Sequence, residues 1–355
     1  MFSAKLRWSA QASASAVDAA VAAPRALAAV DHYAALVPAN DYNPIDTRGD
    51  VLVMSGRYEE ALAAYFKDRK LHPEWNLGSA GKIAPTYLLA GKDSLAEAST
   101  RSVTRWSNTA NARAWTAGML GDIEIARGRL DAAAARYEEA AQGYATQPPP
   151  AAFGTLFEGA QIYFEQRQPE AALALGKRHP EPWGAGVRAL AYLLLKNQDA
   201  AARELKAVHD YLTPALGECY AGKWVDLARL LAAAYACRPQ EVTANWQPLG
   251  DEFHLLVAME VGRAYLELGA LPEAEQNLRF VLQAYRNFGF ISSVTVSPTF
   301  LTYTLAHFYL GKALEQTGRK VEALDAYKEF LSHFEKSTAK LPQIAEARAA
   351  LKRLM

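Results

Sequence analysis

One spacing of small and large residues occurs four times along this chain, and it restricts the fold more than any other feature. In the clearest copy, within residues 304–334, a glycine is followed by a second glycine after seven residues, an alanine after five more and an aromatic residue after another four. The four copies comprise Gly49, Gly56, Ala61 and Tyr65; Gly121, Gly128, Ala133 and Tyr137; Gly262, Gly269, Ala274 and Leu278; and Gly311, Gly318, Ala323 and Tyr327. Because apolar residues recur with helical period on both sides of the second glycine, each copy predicts two amphipathic helices joined by a turn.

Tandem copies of such a hairpin favour one elongated fold over several globular domains. A single hairpin of this size does not bury its apolar face, whereas stacked copies cover one another. The 355 residues are rich in Ala, Leu and Glu, which favour helix, and only residues 290–296 alternate as a strand does. We therefore predict an all-α, right-handed α-solenoid of about eight or nine helix-turn-helix hairpins, closed by a capping helix at residues 342–354.

The pattern resembles the tetratricopeptide repeat (TPR), a unit of about 34 residues with small residues at the helix contact, an aromatic residue and a closing proline, here Pro73. The C-terminal third, residues 258–278 and 310–354, is similar to the repeat arms that follow kinase, cyclase or DNA-binding modules in bacterial signalling proteins. No such module occurs in these 355 residues. The resemblance implies a protein-binding arm, a stand-alone relative or a fragment of a longer chain.

The repeats predict how the chain is organised. Residues 1–147 form N-terminal repeats and residues 151–355 form C-terminal repeats with the capping helix, in one array with a bend at 147–150 (QPPP). Residues 8–22 and 24–37 predict an opening hairpin, with Pro24 in the first turn of its second helix.

The distance from Gly262 to Gly311 is about fifteen residues longer than one repeat requires, so residues 287–298 form an insertion. This insertion either covers the groove as a lid beside Leu256 and Phe308, or it lengthens the flanking helices and packs between hairpins. We favour packing.

Composition excludes some functions. Lys plus Arg and Asp plus Glu both number 38, so no overall field favours nucleic acid or an anionic membrane. No apolar run is long enough to cross a bilayer, and residues 1–17 lack the continuous apolar core of an export signal, which favours a cytoplasmic protein. Cys219 and Cys237 fit neither a metal motif nor a disulfide framework, so we expect buried, inert thiols.

Catalytic motifs are missing from the sequence. It contains no nucleophile elbow, zinc-protease helix, phosphate-binding loop or kinase signature. The closest segment to a phosphate loop, residues 77–82 (LGSAGK), lacks the spacing and the hydroxyl that should follow Lys82. His307 is interpreted as a packing residue. We expect no enzymatic activity, no cofactor and no metal.

The first helix of each hairpin lines the inner surface in repeats of this type, which identifies candidate groove residues. In the first half this surface is acidic with one large aromatic residue, and near the C-terminus it is apolar with two cations. The predicted groove residues are Asp46, Asp50, Trp115, Asp122, Leu256, Met259, Arg263, Leu305, Phe308 and Lys312. We expect the charged members to be exposed, whereas the leucines either line the groove or pack on neighbouring helices.

Three functions fit these observations. The first is a scaffold whose groove holds a peptide or helix of a partner protein. The second is a regulatory or sensor arm that binds a small molecule within the superhelix, against Trp115, Phe157 or Phe308. The third is a hydrolase or transferase with unrecognised spacing. TPR proteins that grip Glu-Glu-Val-Asp tails carry Asn after the signature glycine. Asp50, Asp122, Arg263 and Lys312 stand there instead, which argues against that role.

Overall fold

The computed structural model describes residues 16–355 except 39, 73–77, 145–150, 180–183, 287–298 and 335–338. Within these residues the chain forms eighteen α-helices and one short 3₁₀-helix, and it forms no strand. The helices are α1 (Ala16–Leu36), α2 (Asn43–Met54), α3 (Tyr58–Leu71), α4 (Gly78–Leu89), α5 (Asp93–Trp106), α6 (Ala110–Ala126), α7 (Leu130–Tyr144), α8 (Ala151–Glu165), α9 (Pro169–Arg178), α10 (Ala185–Leu194), α11 (Gln198–Leu216), α12 (Glu218–Tyr235), α13 (Pro239–Asn245), α14 (Asp251–Glu267), α15 (Leu271–Tyr285), α16 (Phe300–Gln316), α17 (Lys320–Ser332) and α18 (Pro342–Leu354). The 3₁₀-helix, Gln247–Leu249, follows α13.

The helices pair into an α-solenoid, as the repeat pattern predicts. Eight hairpins run from α2–α3 to α16–α17 within the described part of the chain, with α1 before them and the capping helix α18 after them. The two helices of a hairpin pack on each other, and neighbouring hairpins stack in chain order. The all-α solenoid with a C-terminal cap is confirmed.

The glycine that opens each sequence copy lies against the large residue sixteen positions later. A Cβ atom added to Gly49 would lie 2.3 Å from Cε1 of Tyr65, and one added to Gly311 would lie 2.9 Å from the ring of Tyr327. The corresponding distances are 3.0 Å from Gly121 to Tyr137 and 2.8 Å from Gly262 to Leu278. The two helices therefore approach more closely than a side chain at the glycine would permit.

All eight hairpins turn with one hydrogen-bonding pattern. At the first turn, Gly56 N–H donates to the carbonyl of Val53 and Arg57 N–H donates to the carbonyl of Leu52, and the other seven turns repeat both bonds. The central residue has positive φ in each turn. It is glycine in five hairpins, but in the other three it is Arg167 (59°), Lys196 (60°) and Cys237 (55°). The turn geometry thus persists where the signature glycine does not.

Two local predictions are wrong. Residues 16–36 form one continuous helix with Pro24 inside it, so Pro24 does not start a second helix. The alanine-rich sequence on both sides sustains the helix although proline removes one backbone hydrogen bond. Both cysteines are free and exposed rather than buried. Cys219 lies in the first turn of α12, and Cys237 occupies a turn position with positive φ.

Several predictions fall outside the described residues. These are the first helix at residues 8–15, the bend at 147–150 and the insertion at 287–298. The division into residues 1–147 and 151–355 stays a prediction. The helices on either side of the proposed bend, α7 and α8, pack against each other, and a Cβ atom at Gly159 would lie 3.1 Å from Tyr137 Cβ.

The array curls until its last repeats contact the third and fourth hairpins. The backbone N–H of Phe300, at the start of α16, donates to Asp122 Oδ1 of α6 at 2.8 Å. Gln161 of α8 donates to Thr302 Oγ1 at 3.1 Å, and Gln343 of α18 donates to Glu165 Oε2 at 3.3 Å. One hydrophobic cluster includes residues of α4–α8 together with residues of α14–α18. The chain's own C-terminal helices therefore cover much of the predicted inner surface.

Candidate functional site

At the acidic end of the predicted groove, a lysine from the next hairpin forms ion pairs with both aspartates. Lys82 Nζ donates to Asp46 Oδ2 at 2.6 Å and to Asp50 Oδ2 at 3.0 Å, and Tyr65 OH donates to Asp50 Oδ1 at 2.8 Å. Burial and the neighbouring Asp50 carboxylate raise the pKa of Asp46. Burial alone would lower the pKa of Lys82, but the carboxylates of Asp50 and Asp46 raise it overall. The group is a partly buried ion triad rather than a free acidic surface.

Sequence reasoning missed Lys82 as a partner of these acids, although one signal could have identified it. Lys82 follows Asp46 and Asp50 by 36 and 32 residues, which is about one repeat. Equivalent positions in adjacent repeats lie side by side in a solenoid, so a charge one repeat away is a spatial neighbour. In the segment that comes closest to a phosphate loop, 77–82, the described residues 78–82 form the start of helix α4 rather than a loop.

The middle of the predicted groove is covered by α16. Asp122 accepts hydrogen bonds from Tyr137 OH at 2.6 Å and from the Phe300 N–H at 2.8 Å. Burial raises the pKa of Asp122 to about 6, although both hydrogen bonds act to lower it. Trp115 is half-buried and packs at the edge of the central hydrophobic cluster. Asp122 is therefore half-buried and anchors the start of α16.

The apolar end of the predicted groove lies in the core. Met259 and Leu305 are fully buried and Phe308 is 1% exposed, because they pack against the second helices and the neighbouring first helices. The side chain of Leu256 lies outside the described residues. The predicted contact of these residues with a partner stays untested, and the chain's own helices cover the three described side chains.

Arg263, predicted to be an exposed groove cation, is buried in a polar cluster. Its side chain lies between the rings of Tyr235 and Tyr309, with Cζ 5.5 Å and 5.7 Å from the ring centroids. Arg263 Nη1 is 3.7 Å from Glu165 Oε1 and donates to Tyr309 OH at 3.4 Å. Glu165 was missed, because it lies almost one hundred residues earlier in the chain and only the closure of the array brings it here.

Lys312 lines an open cleft between α16 and α18. The cleft has a volume of about 550 Å³, and Phe308 and Tyr327 contribute to its lining. Two ion pairs bridge the helices: Lys312 Nζ with Glu346 Oε2 at 3.1 Å, and Arg353 Nη2 with Glu315 Oε1 at 2.6 Å. The Lys312 ammonium also lies 5.5 Å from the centre of the Phe308 ring. Unlike the neighbouring apolar positions, the Lys312 side chain is partly exposed, at 37%.

The ten predicted groove residues therefore do not form one continuous surface. Asp46 and Asp50 share a lysine, Asp122 binds the start of α16, Arg263 joins a buried cluster and Lys312 lines a cleft. Within the described ranges no group of His, Cys, Asp and Glu side chains could hold a metal ion, and no helix is long and apolar enough to span a membrane.

Comparison with known proteins leaves the family open. No protein-family model matches the chain, and no curated protein is similar to it. Similar solved structures include the APC/C hetero-tetramer Cut9–Hcn1, with 13% identity, coverage of 91% of this chain and 58% of that chain, and a TM-score of 0.35. The TPR domain of P58(IPK) has 14% identity over 88% of this chain and 99% of that chain, with a TM-score of 0.27.

A third similar structure is Naa15/Naa10 bound to HypK, with 14% identity over 92% of this chain and 63% of that chain and a TM-score of 0.21. This chain thus spans less than two thirds of the first and third structures. With TM-scores this low, none of these likenesses carries an argument about function. The class of fold rests on the hairpins described above.

Proposed function

We propose that this chain is a non-catalytic protein-interaction scaffold, and that the cleft between α16 and α18 holds a peptide or helix of its partner. The open cleft carries the proposal, since it contains the partly exposed predicted groove residue Lys312 and has the volume of a typical binding pocket. The capping helix, which covers the last hairpin, forms its second wall.

The charges of the cleft indicate a partner segment of mixed charge. The wall on α16 presents Lys312 and Glu315, and the wall on α18 presents Glu346 and Arg353. The side chains of Lys312 and Arg353 are 37% and 59% exposed, and ion pairs this exposed contribute at most about 1 kcal/mol. A partner that offers one acidic and one basic side chain can therefore exchange with both pairs at little cost.

Charge reversal in the cleft tests this function. We would select peptides that bind the purified protein from a displayed random library. Their affinity would then be compared between wild type and the double variant Lys312→Glu/Arg353→Glu. Both changes make the cleft wholly acidic, so selected peptides should bind at least about tenfold more weakly, a loss of about 1.4 kcal/mol. Circular dichroism would verify the fold.

The matched control is the double variant Lys328→Glu/Lys352→Glu. Both lysines are exposed, one on α17 and one on α18, and neither lines the cleft. This control has the same net charge as the cleft variant and should bind like wild type. Equal binding by the cleft variant and the control would contradict the proposed site.

A further inference from the structure

A second cluster of polar side chains lies inside the closed array and has no role in the cleft. It comprises Glu165 of α8, Tyr235 of α12, Glu260 and Arg263 of α14, Tyr309 of α16 and Gln343 of α18. Glu260 is 2% exposed, Glu165 4%, Gln343 7% and Arg263 9%. Five helices that are distant in sequence thus contribute polar groups to one buried location.

Many of these polar atoms have no hydrogen-bonding partner within the described chain. They include three acceptor oxygens, Glu165 Oε1, Glu260 Oε2 and Gln343 Oε1, together with Arg263 Nη2. Buried polar atoms are nearly always hydrogen-bonded in native proteins, and an unpaired buried charge is especially unfavourable. Four such atoms in one cluster are therefore evidence for a binding site.

The contacts that the cluster does make are loose. Arg263 Nη1 is 3.7 Å from Glu165 Oε1 and 3.4 Å from Tyr309 OH, whereas N–H···O bonds are commonly about 2.9 Å. Gln343 Nε2 is 3.3 Å from Glu165 Oε2 and 3.2 Å from Tyr309 OH. The side chains converge on one location, but their contacts with one another are longer than ordinary hydrogen bonds.

We propose that this cluster is a binding site for a small primary-ammonium compound that also carries a hydrogen-bond acceptor. Three unpaired acceptor oxygens match the three N–H donors of an ammonium group. The unpaired Arg263 Nη2 matches the acceptor on the ligand. With both carboxylates ionised, one guanidinium and one ammonium balance their charge, which a buried site requires.

The protonation of Glu260 supports this ligand class. Burial raises the pKa of Glu260 to about 8; Arg263, the Glu260 backbone and Tyr235 act to lower it, and Glu165 acts to raise it further. Burial also raises the pKa of Glu165, against the lowering effects of Arg263, Gln343 and Arg167. Tyr235 stays neutral, because burial and the two carboxylates raise its pKa well above the usual value.

Binding should consequently be linked to proton release. At neutral pH the empty site keeps a proton on Glu260, and a bound ammonium favours the carboxylate. Ligand affinity should rise by about tenfold per pH unit as the pH increases toward about 8, since one proton is released per ligand.

Ethanolamine and ethylene glycol provide matched probes, because they differ by one amine in place of one hydroxyl. Ethanolamine should raise the Tm of the full-length protein with increasing concentration, as a ligand of the folded state does, whereas ethylene glycol and acetate at the same concentrations should not. Calorimetry in buffers of different ionisation enthalpy should detect release of one proton at pH 7.

Variants of the cluster residues test whether the rise in Tm caused by ethanolamine comes from this cluster. Glu260→Gln keeps the size of the side chain and removes its charge, so the ethanolamine shift should disappear. Tyr235→Phe, which removes the hydroxyl that interacts with Glu260, should weaken the ethanolamine shift, and it provides a second variant if Glu260→Gln fails to fold. Glu267→Gln, at an exposed position of the same helix, should keep the full shift. The proposal is overturned if ethanolamine has no effect on wild type, if acetate alone stabilises it, or if Tyr235→Phe and every folded Glu260 variant keep the full shift.

Discussion

At the residue scale, the glycine that begins each copy of the pattern determines how closely two helices approach. Gly49 and Tyr65 show the constraint most clearly, because the ring is in contact with the glycine while its hydroxyl donates to Asp50. The ring is fixed at both ends and has little room to move. This pairing was predictable from the sequence, since the spacing from glycine to aromatic residue is the same in three of the four copies.

Gly49→Ala should destabilise the protein by about 1–2 kcal/mol. Overpacking costs about 1–3 kcal/mol, and the better helix propensity of alanine recovers up to about 1 kcal/mol. The control is Gly118→Ala in α6, where an added Cβ atom would meet only Ala140 Cβ at 3.8 Å. The control should be neutral or slightly stabilising. Urea unfolding measures both, and equal effects would refute the close-contact explanation.

Two buried histidines should make the fold sensitive to acid. Burial, together with the charges of Arg286 and His333, lowers the pKa of His307 to about 3. Burial lowers the pKa of His333 to about 4, although a hydrogen bond with the Ala126 backbone opposes the shift. Both histidines have a lower pKa in the folded protein than in the unfolded chain. Their contribution to stability is therefore complete above about pH 6.5 and is lost as the pH falls toward 3.

His307→Leu should remove the part of the pH dependence of the unfolding free energy that His307 causes. A pKa shift is equivalent to about 1.4 kcal/mol per unit, so wild type should lose about 3 kcal/mol relative to the variant between pH 6.5 and pH 4. Comparison with the variant also subtracts the opposite trend of Asp122 and Glu260, whose raised pKa values favour the folded state at low pH. Exposed His32→Leu is the control, and parallel pH profiles for His307→Leu and wild type would contradict the assignment.

At the element scale, the eight hairpin turns share one backbone geometry, although the residue at their centre varies. Five turns use glycine at the residue with positive φ, whereas Arg167, Lys196 and Cys237 adopt the same backbone with a side chain. The four hairpins with the signature spacing were predictable in position, because helical periodicity is a local property of sequence. The long α1 was not, since proline is usually a boundary and here lies inside a helix.

Lys196→Gly should stabilise the protein by about 0.5–1 kcal/mol. Relief of left-handed strain contributes about 1–2 kcal/mol, and the greater freedom of glycine in the unfolded chain removes about 0.4–1 kcal/mol. Lys196→Ala is the matched control, because it removes the same exposed side chain while the strain remains. Urea unfolding distinguishes the variants, and a gain of equal size in Lys196→Ala would show that the side chain rather than the backbone is responsible.

At the scale of the whole molecule, closure of the array explains why the fold was more predictable than the site. Repeat spacing correctly indicates which residues lie on first helices, but it contains no information about contacts between the third and last hairpins. Asp122 is bonded to Phe300, 178 residues later, and Gln161 is bonded to Thr302, 141 residues later. These contacts bury residues that an open solenoid would expose. Arg263 is consequently buried in the core, whereas Lys312 lines an open cleft.

Closure also changes how the chain should unfold. In an open solenoid each repeat contacts only its neighbours, and the ends fray independently. Here Gln161 and Thr302 exchange hydrogen bonds across the closed array, with Thr299 Oγ1 within 3.2 Å of both Gln161 Oε1 and Thr302 Oγ1. Thr302→Val removes one partner and leaves buried amide atoms of Gln161 less satisfied, which costs about 1–3 kcal/mol. The helices α8 and α16 should respond together, because each is held by the other.

Hydrogen exchange measures that coupling directly. In Thr302→Val, amide exchange should accelerate in α8 by about the same factor as in α16, at least about fivefold for a loss of 1 kcal/mol, although no residue of α8 is altered. Thr116→Val is the matched control, since Thr116 is a buried threonine of α6 whose Oγ1 has no hydrogen-bonding partner. That control should leave exchange unchanged or slower. Faster exchange confined to α16 and its hairpin would mean that the fourth and last hairpins open independently, and that the contact between them does not hold the array closed in solution.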